Sequence, residues 1–298
     1  MTRVSVCIPT YNGAAYIAAA VNSVLNQTFA DFELIICDDA SLDKTIEIAA
    51  GLRDERLRVV ENPVRLGLVG NWNRCLTLAT GEYIVVFHQD DLMYPDNLLQ
   101  KVAFLDEHRD SAFVHSDIDC IDESDRVVGG HWASQPSQSL SMPGEEFFAQ
   151  VSQAINPVAC PAVMLRRACI ETVGQFDDRF SFVVDLEMWL RLAEQRSVGY
   201  IAHKLVAHRL HMAQEGSRYR NTGRDALDML RLLDHARASS QSPTTSRHIQ
   251  NAYHALSKQS AGLARWQAQG GHMAAALRYW WVAIEARLRL WHRTGTVA

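Results

Sequence analysis

Val4-Ser5-Val6-Cys7-Ile8-Pro9-Thr10-Tyr11-Asn12-Gly13 is the stretch whose reading decides the fold. Its first five residues are mostly apolar without helical spacing, the pattern of a short buried strand. Pro9 ends the run and Tyr11-Asn12-Gly13 are turn formers, so the strand opens directly into a loop. The same phrase then repeats. Residues 14–26 carry Tyr16, Ile17, Ala20, Val21, Val24 and Leu25 at helical spacing. The apolar run 32–37 is halted by Asp38-Asp39-Ala40-Ser41, and Ser41 or Asp43 can cap a helix through Ala50. A strand at 57–60, a helix at 68–78 and a strand at 83–87 follow, the last running into His88-Gln89-Asp90-Asp91. Strands alternating with helices predict a parallel α/β sheet.

In such sheets the ligand crevice lies outside the carboxyl ends of the strands. The polar clusters fall there: Pro9-Thr10-Tyr11-Asn12, then Asp38-Asp39, then Asp90-Asp91. Two acidic pairs facing one crevice repel unless a cation sits near them, and hard oxygen ligands suit Mg²⁺ or Mn²⁺. Asp90-Asp91 is the better metal candidate, because a tight turn presents both carboxylates. The structural alternative is one Asp capping the helix that starts near Pro95 and the other solvated.

Beyond Ser111 the pattern loosens. Strands are expected at 112–120 and 162–165, and helices at 170–173 and 186–194, the latter bearing Trp189. Residues 129–144, rich in Ser, Gln, Gly and Pro, read as a mobile loop. After Ser217 the chain reads as all helix, at 221–238, 247–268 and 272–293. In the last helix Leu277, Trp281, Ile284, Leu288 and Trp291 recur at steps of four, three, four and three. That stripe can pack on the catalytic body or a partner subunit, or lie on anionic lipid.

The chain has 298 residues, 48% hydrophobic and 21% charged, which excludes bulk disorder and predicts one large domain with an appendage, or two domains. No uncharged apolar run reaches the ~18–20 residues of a membrane span, and the N-terminus turns too early for a signal peptide. A cytoplasmic protein is expected, peripheral at the inner face of the membrane if the tail docks on lipid. The six cysteines, without a C-x-x-C pair, are expected to be reduced and structural. The net charge of −5 divides unevenly: residues 219–298 hold 11 Lys and Arg against 4 Asp and Glu, and residues 1–218 hold 18 against 30. An acidic body and a basic, Trp-rich tail suggest two functional parts, 1–218 and 219–298. No recognised motif accompanies the basic residues, so no nucleic-acid partner is expected.

With these features in hand, the sequence resembles the family 2 glycosyltransferases with the GT-A fold. The resemblance is carried by Val4 to Asn12, Ser23-Val24-Leu25-Asn26-Gln27-Thr28, Asp38 to Asp43, Gly81-Glu82-Tyr83-Ile84 followed by Asp90-Asp91 and Pro95, Val163 to Arg167, Val173-Gly174-Gln175-Phe176-Asp177, and Asp185 to Arg191. It implies a mixed central sheet flanked by helices, with the C-terminal helices as an extension. It also implies roles. Asp39 pairs with the base of a nucleotide diphosphate, in a pocket lined by Pro9, Thr10 and Tyr11; the structural alternative for Asp39 is a helix cap. Asp90 and Asp91 hold the metal, Mn²⁺ or Mg²⁺, and the ribose or diphosphate. Asp185 is the catalytic base, with Glu187 as runner-up or as the partner of a nearby arginine. The segment Leu205 to His211 supplies a histidine near the metal, His211 in preference to His208. Arg74 lies beside the nucleotide and can neutralise phosphate, or simply faces solvent.

The chain departs from the family pattern at His88, where many relatives carry Asp, and at Val184, where many carry Glu. The implied reaction is an inverting, metal-dependent displacement on a nucleotide sugar, a UDP-sugar for preference. The acceptor is a hydroxyl of a surface glycan or a lipid-linked saccharide, with 129–144 as an acceptor-side flap. Two alternatives compete. Nucleotidyl transfer usually needs a Gly- and Arg/Lys-rich first loop, which Pro9-Thr10-Tyr11-Asn12 is not. A catalytically silent nucleotide- or glycan-binding module would act through its helical tail.

Overall fold

The computed structural model describes residues 2–131, 133–153, 156–211, 214–239 and 242–291. The first half is β1 (Val4–Thr10), α1 (Ile17–Leu25), β2 (Phe32–Asp38), α2 (Thr45–Gly51), β3 (Leu57–Glu61), α3 (Gly67–Leu78), β4 (Tyr83–Val86), β5 (Leu92–Met93), α4 (Asn97–Glu107) and β6 (Ser111–Ile121). The second half is β7 (Val127–Gly130), β8 (Leu140–Met142), α5 (Gly144–Gln153), β9 (Val163–Arg166), α6 (Arg167–Val173), α7 (Val184–Ala193), β10 (Ser197–Arg209), α8 (Glu215–Thr222), α9 (Arg224–Ser239), α10 (Pro243–Gln269) and α11 (Met273–Trp291).

One sheet runs β3-β2-β1-β4-β9-β6-β10-β5. The strands β3, β2, β1 and β4 are parallel, as their alternation with helices requires. β9 then enters antiparallel between β4 and β6, while β6 and β10 are parallel to each other. The sheet is therefore mixed and flanked by helices, the GT-A arrangement, with the C-terminal helices as an extension. Val4, Val6 and Ile8 join a core under α1 and α4, whereas Cys7, Ile35 and Cys37 join a second core containing Trp72, Phe113 and Trp189. Burial on both faces explains why these strands read as continuous apolar runs.

Pro9 does not end β1. It pairs with Cys37, and Thr10 with Asp38. The Cys7 carbonyl accepts from the Phe87 N–H, so residues 7 and 9 direct their backbone groups towards β4. Pro9 thus falls beyond the last residue that β4 pairs, and its missing N–H costs no ladder bond.

Residues 129–144 also differ from the expected loop. Gly129 and Gly130 pair with Cys120 and Asp119 of β6, and 140–142 pair with β10. Backbone pairing to a sheet edge, which composition does not encode, makes these strands. Gly144 is then required by a close approach, since a Cβ there would fall 1.6 Å from the Ala193 carbonyl oxygen at the end of α7.

Of the three uses expected for the stripe in the last helix, packing on the catalytic body is not the one the fold makes of it. Ala275, Ala276, Tyr279, Val282, Ala283 and Ala286 form the buried face of α11. Small alanines let helix backbones approach closely around the two larger anchors. Leu277, Trp281, Ile284 and Leu288, the stripe read from the sequence, face outward. Trp291 ends α11, and the expected helix beyond it to Arg293 lies outside the described residues. Met229, Leu232, Tyr253 and Val282 belong to the same apolar cluster as Trp189 and Phe176, so the extension shares a core with the sheet. All six cysteines are free and buried.

Candidate active site

The loops after β1 and β2 are knitted together by short polar side chains. Asp38 accepts from the Thr10 hydroxyl at 2.9 Å, from the Ser41 hydroxyl at 2.6 Å and from the Ser41 N–H at 2.8 Å. Asn12 donates its N–H to the Ser41 hydroxyl, and its side-chain oxygen accepts from the Leu42 N–H. Asn12 and Ala40 both lie in the left-handed region, at φ 49° and 58°, a strained conformation for Ala that the surrounding bonds must hold. Gln89, from the loop after β4, accepts from the Tyr11 N–H at 3.0 Å and donates to the Tyr11 carbonyl at 3.3 Å. Tyr11 is thereby fixed at the main chain, and the Arg65 guanidinium stacks on its ring at 3.8 Å.

Asp39 is buried. One carboxylate oxygen accepts from the Leu66 N–H at 2.6 Å and from Asn62 at 3.2 Å; the other accepts from the Gly67 N–H at 2.8 Å. These amides open α3, so Asp39 caps that helix across the fold and sits at the positive end of its dipole. A carboxylate offers about four lone-pair sites, and three are used here. One remains on Oδ2.

The acidic pair after β4 is held by β10. Asp91 accepts from the Arg209 N–H at 2.8 Å and meets His208 Nδ1 at 3.1 Å. His211 Nε2 lies 2.8 Å from Asp90 Oδ2, and the Arg209 side chain donates to the Asp90 carbonyl at 2.8 Å. Arg209 is itself buried, with its guanidinium 4.7 Å from the centre of the Tyr16 ring. The potential ligand atoms of His88, Asp90 and Asp91 lie within 4.8 Å of one another. Burial pushes the Asp90 carboxyl up, but the His211 hydrogen bond and the neighbouring histidines outweigh it and hold the group below its ordinary value. Burial lowers His88 and favours the neutral imidazole, the form that ligates metals. At His208 burial also lowers the pKa, yet the Asp91 charge prevails and raises it.

Asp185 opens α7, where its Oδ1 accepts from the Leu186 N–H at 2.7 Å and its Oδ2 from Asn156 at 3.3 Å. Burial pushes its carboxyl up to about 6. The buried Cys160 thiol is driven up by its own burial first and then by the charges of Asp185 and Asp91. Glu187 is the structural residue of α7: Arg191 clamps it bidentately at 2.6 and 2.7 Å. A cavity of about 360 Å³ lies beside β6 and β10, lined by Asp117, His131, Gln135, Tyr200 and Lys204 among others. Gln135 donates to the Pro157 carbonyl at 2.7 Å, next to Asn156.

The structure thus gathers Pro9, Thr10, Tyr11, Asp39, Asp90, Asp91 and His211 around the carboxyl ends of β1, β2 and β4, while Asp185 stands in the first turn of α7 against Asn156. Arg74 is exposed on α3, while its neighbour Asn73 makes two hydrogen bonds to the Phe176 backbone. The cation set against the first loop is Arg65, which the sequence reading passed over. His208, ranked below His211 in the sequence, meets Asp91, so both histidines of the 205–211 segment contact the acidic pair. His88 was read only as a departure from a pattern, and Gln89 and Asn156 carried no signal.

The sequence model described as Glycosyl transferase family 2 matches residues 5–174. EpsE of Bacillus subtilis (strain 168) is 31% identical over 66% of this chain and 69% of its own. The UDP-Glc:alpha-D-GlcNAc-diphosphoundecaprenol beta-1,3-glucosyltransferase WfaP of Escherichia coli is 29% identical over 64% of this chain and 70% of its own. Among solved structures, S. aureus TarS 1-349 in complex with UDP-GlcNAc superposes with a TM-score of 0.61 at 18% identity, covering 96% of this chain and 92% of that one. The mannosyltransferase PcManGT from Pyrobaculum calidifontis, in complex with GDP-Man and Mn²⁺, superposes with a TM-score of 0.62 at 19% identity, over 97% and 87%. At these identities the two structures show the fold.

Proposed function

The chain belongs to glycosyl transferase family 2, and from that premise we propose that it transfers a sugar, with inversion and with the help of a divalent metal, from a nucleotide-sugar donor to a hydroxyl of a glycan or lipid-linked acceptor. A UDP-sugar is the preferred donor and cell-surface polysaccharide the product. The reading sets the enzyme in the cytoplasm, with residues 1–218 as the catalytic unit and 219–298 as the helical extension. Among the described residues, no helix is long and apolar enough to cross a membrane. The observation that carries the reading is the placement of Asp39 and the His88–Asp90–Asp91 group after the carboxyl ends of β2 and β4, with the buried Asp185 in the first turn of α7. The names of WfaP and of the TarS and PcManGT complexes, which specify nucleotide-sugar donors, support the donor class.

Each residue has a defined task. The remaining lone pair of Asp39 accepts the ring N–H of the donor's base, which uracil presents at N3 and guanine at N1 and which cytosine, whose N3 is an acceptor, lacks. Tyr11, fixed by Gln89, and Arg65 border the same loop. The residues fit a divalent metal: two carboxylates and an imidazole converge, and the His88 Nε2 is buried without a hydrogen-bond partner. Asp90, Asp91 and His88 would hold it, with His211 at Asp90, and this mixed oxygen and nitrogen set suits Mn²⁺ better than Mg²⁺. When bound, such an ion neutralises charge on a diphosphate leaving group. Asp185 takes the proton from the acceptor hydroxyl onto its carboxylate, which Asn156 and the Leu186 N–H orient. General-base help of this kind is worth roughly 10²–10⁴ in rate. A single displacement inverts the anomeric carbon. The cavity next to Asn156 is the acceptor side.

Replacing Asp185 with Asn tests the assignment and also separates an enzyme from a silent binding module. Turnover of the donor should fall at least a hundredfold while donor affinity is kept. Unchanged turnover would refute the role of Asp185.

A further inference from the structure

The extension carries an apolar face that the fold leaves uncovered. Along α11, Met273, Leu277, Trp281, Ile284 and Leu288 follow one another at steps of four, four, three and four, and all are exposed, Leu277 to 64%. Trp280 borders the stripe, and α10 adds Leu263 and Trp266 at its end of the helical hairpin. The Arg265 guanidinium sits 5.9 Å from the Trp280 ring, joining the contributions of the two helices into one surface. Single exposed apolar side chains are ordinary, but a contiguous set of this size marks an interaction surface.

Charge identifies what covers it. Residues 243–291 contain six Lys or Arg and a single acidic residue, Glu285. Glu285 is neutralised by Arg289, which also pairs with Asp234. Arg265, Arg278 and Arg287 are exposed beside the apolar stripe. A second copy placed on this face would bring like charges together, whereas anionic headgroups complement them. The body of the protein, residues 1–218, carries twelve more acidic than basic side chains. An anionic surface therefore repels the body and attracts the tail, which orients the molecule with α11 against the surface.

We propose that the exposed face of α11 and the end of α10 dock on an anionic phospholipid surface. The tryptophans and leucines enter the headgroup boundary and the arginines contact phosphates, as in interfacial amphipathic helices. The contact is peripheral, and it holds whether or not the transferase reading is correct.

Flotation of the full chain with vesicles tests this. Vesicles of equal parts phosphatidylglycerol and phosphatidylcholine should bind the protein, pure phosphatidylcholine at least tenfold less, and high salt should weaken the binding. Trp281→Glu with Ile284→Glu should lower partitioning at least tenfold while circular dichroism and melting temperature stay as in the wild type, because both side chains are exposed. Arg278→Glu with Arg287→Glu should remove the preference for phosphatidylglycerol. Absence of binding to the anionic vesicles, or binding that survives the Glu substitutions, would overturn the proposal. So would light scattering that shows a lipid-independent dimer dissociated by the same substitutions.

Discussion

Asp185, the proposed base, is a buried carboxylate whose setting costs stability. Its folded pKa of about 6 lies above the ordinary Asp value near 3.9. The folded protein therefore binds this proton more tightly than the unfolded chain. Stability falls as pH rises from about 4 to about 6, and the penalty is fully present above that window. Asp185→Asn keeps the shape and removes the buried charge. In denaturant titrations at pH 7 the variant should be as stable as the wild type or more so, by up to about 3 kcal/mol for a shift of two pKa units. Wild-type kcat, which under the proposed mechanism needs the ionised form, should climb with pH and level off above about 6; a profile flat from pH 5 to 8 would contradict the assignment. At this scale the sequence was informative about Asp39, Asp90, Asp91 and Asp185, because each follows a buried strand or matches an ordered motif. It was silent on Gln89, Asn156 and Arg65, whose roles arise from contacts between loops distant in the chain.

Elements determine whether those side chains meet. The Asp228 carboxylate, on α9, accepts from the N–H groups of Ser181 and Phe182, both at 2.7 Å, just ahead of α7. The extension thereby fixes the segment that delivers Asp185. Asp228→Ala leaves two amides without their acceptor and should cost roughly 2–3 kcal/mol in stability. It should also lower kcat with little change in donor affinity, and Asp228→Asn, which keeps one acceptor oxygen, should restore part of both. Equal kcat in the alanine variant would show that α9 does not position the base. The alternating strands and helices of residues 4–107 were legible, since each buries a periodic or continuous apolar face. β5, β7 and β8 were not: with two to four residues each, they exist through backbone pairing to an edge. β10 escaped notice for another reason. Its register shifts near Lys204 break the alternation that would have marked thirteen residues as a strand.

At the scale of the whole molecule, a mixed sheet presents the residues proposed to bind the donor, and the basic helical extension shares its core while turning a second face outward. The uneven charge was visible in the composition. Which face of α11 lies inward was not, because alanines that allow close helix packing read as neutral beside a stripe of Leu, Ile and Trp. The carboxyl ends of β2 and β4, where Asp39 and the His88–Asp90–Asp91 group lie, are the centre of the account, and binding there links to stability by mass action. The most direct test is the melting temperature of the full chain with UDP, GDP, CDP and ADP, each with and without Mn²⁺, for the wild type and for Asp90→Asn with Asp91→Asn. The account predicts that UDP stabilises the wild type in the presence of Mn²⁺, by about 2.7 kcal/mol at a hundredfold excess over Kd, that CDP does not, and that the double variant loses the effect. No stabilisation by any of the four nucleotides with Mn²⁺, or stabilisation that the double variant retains in full, would contradict it.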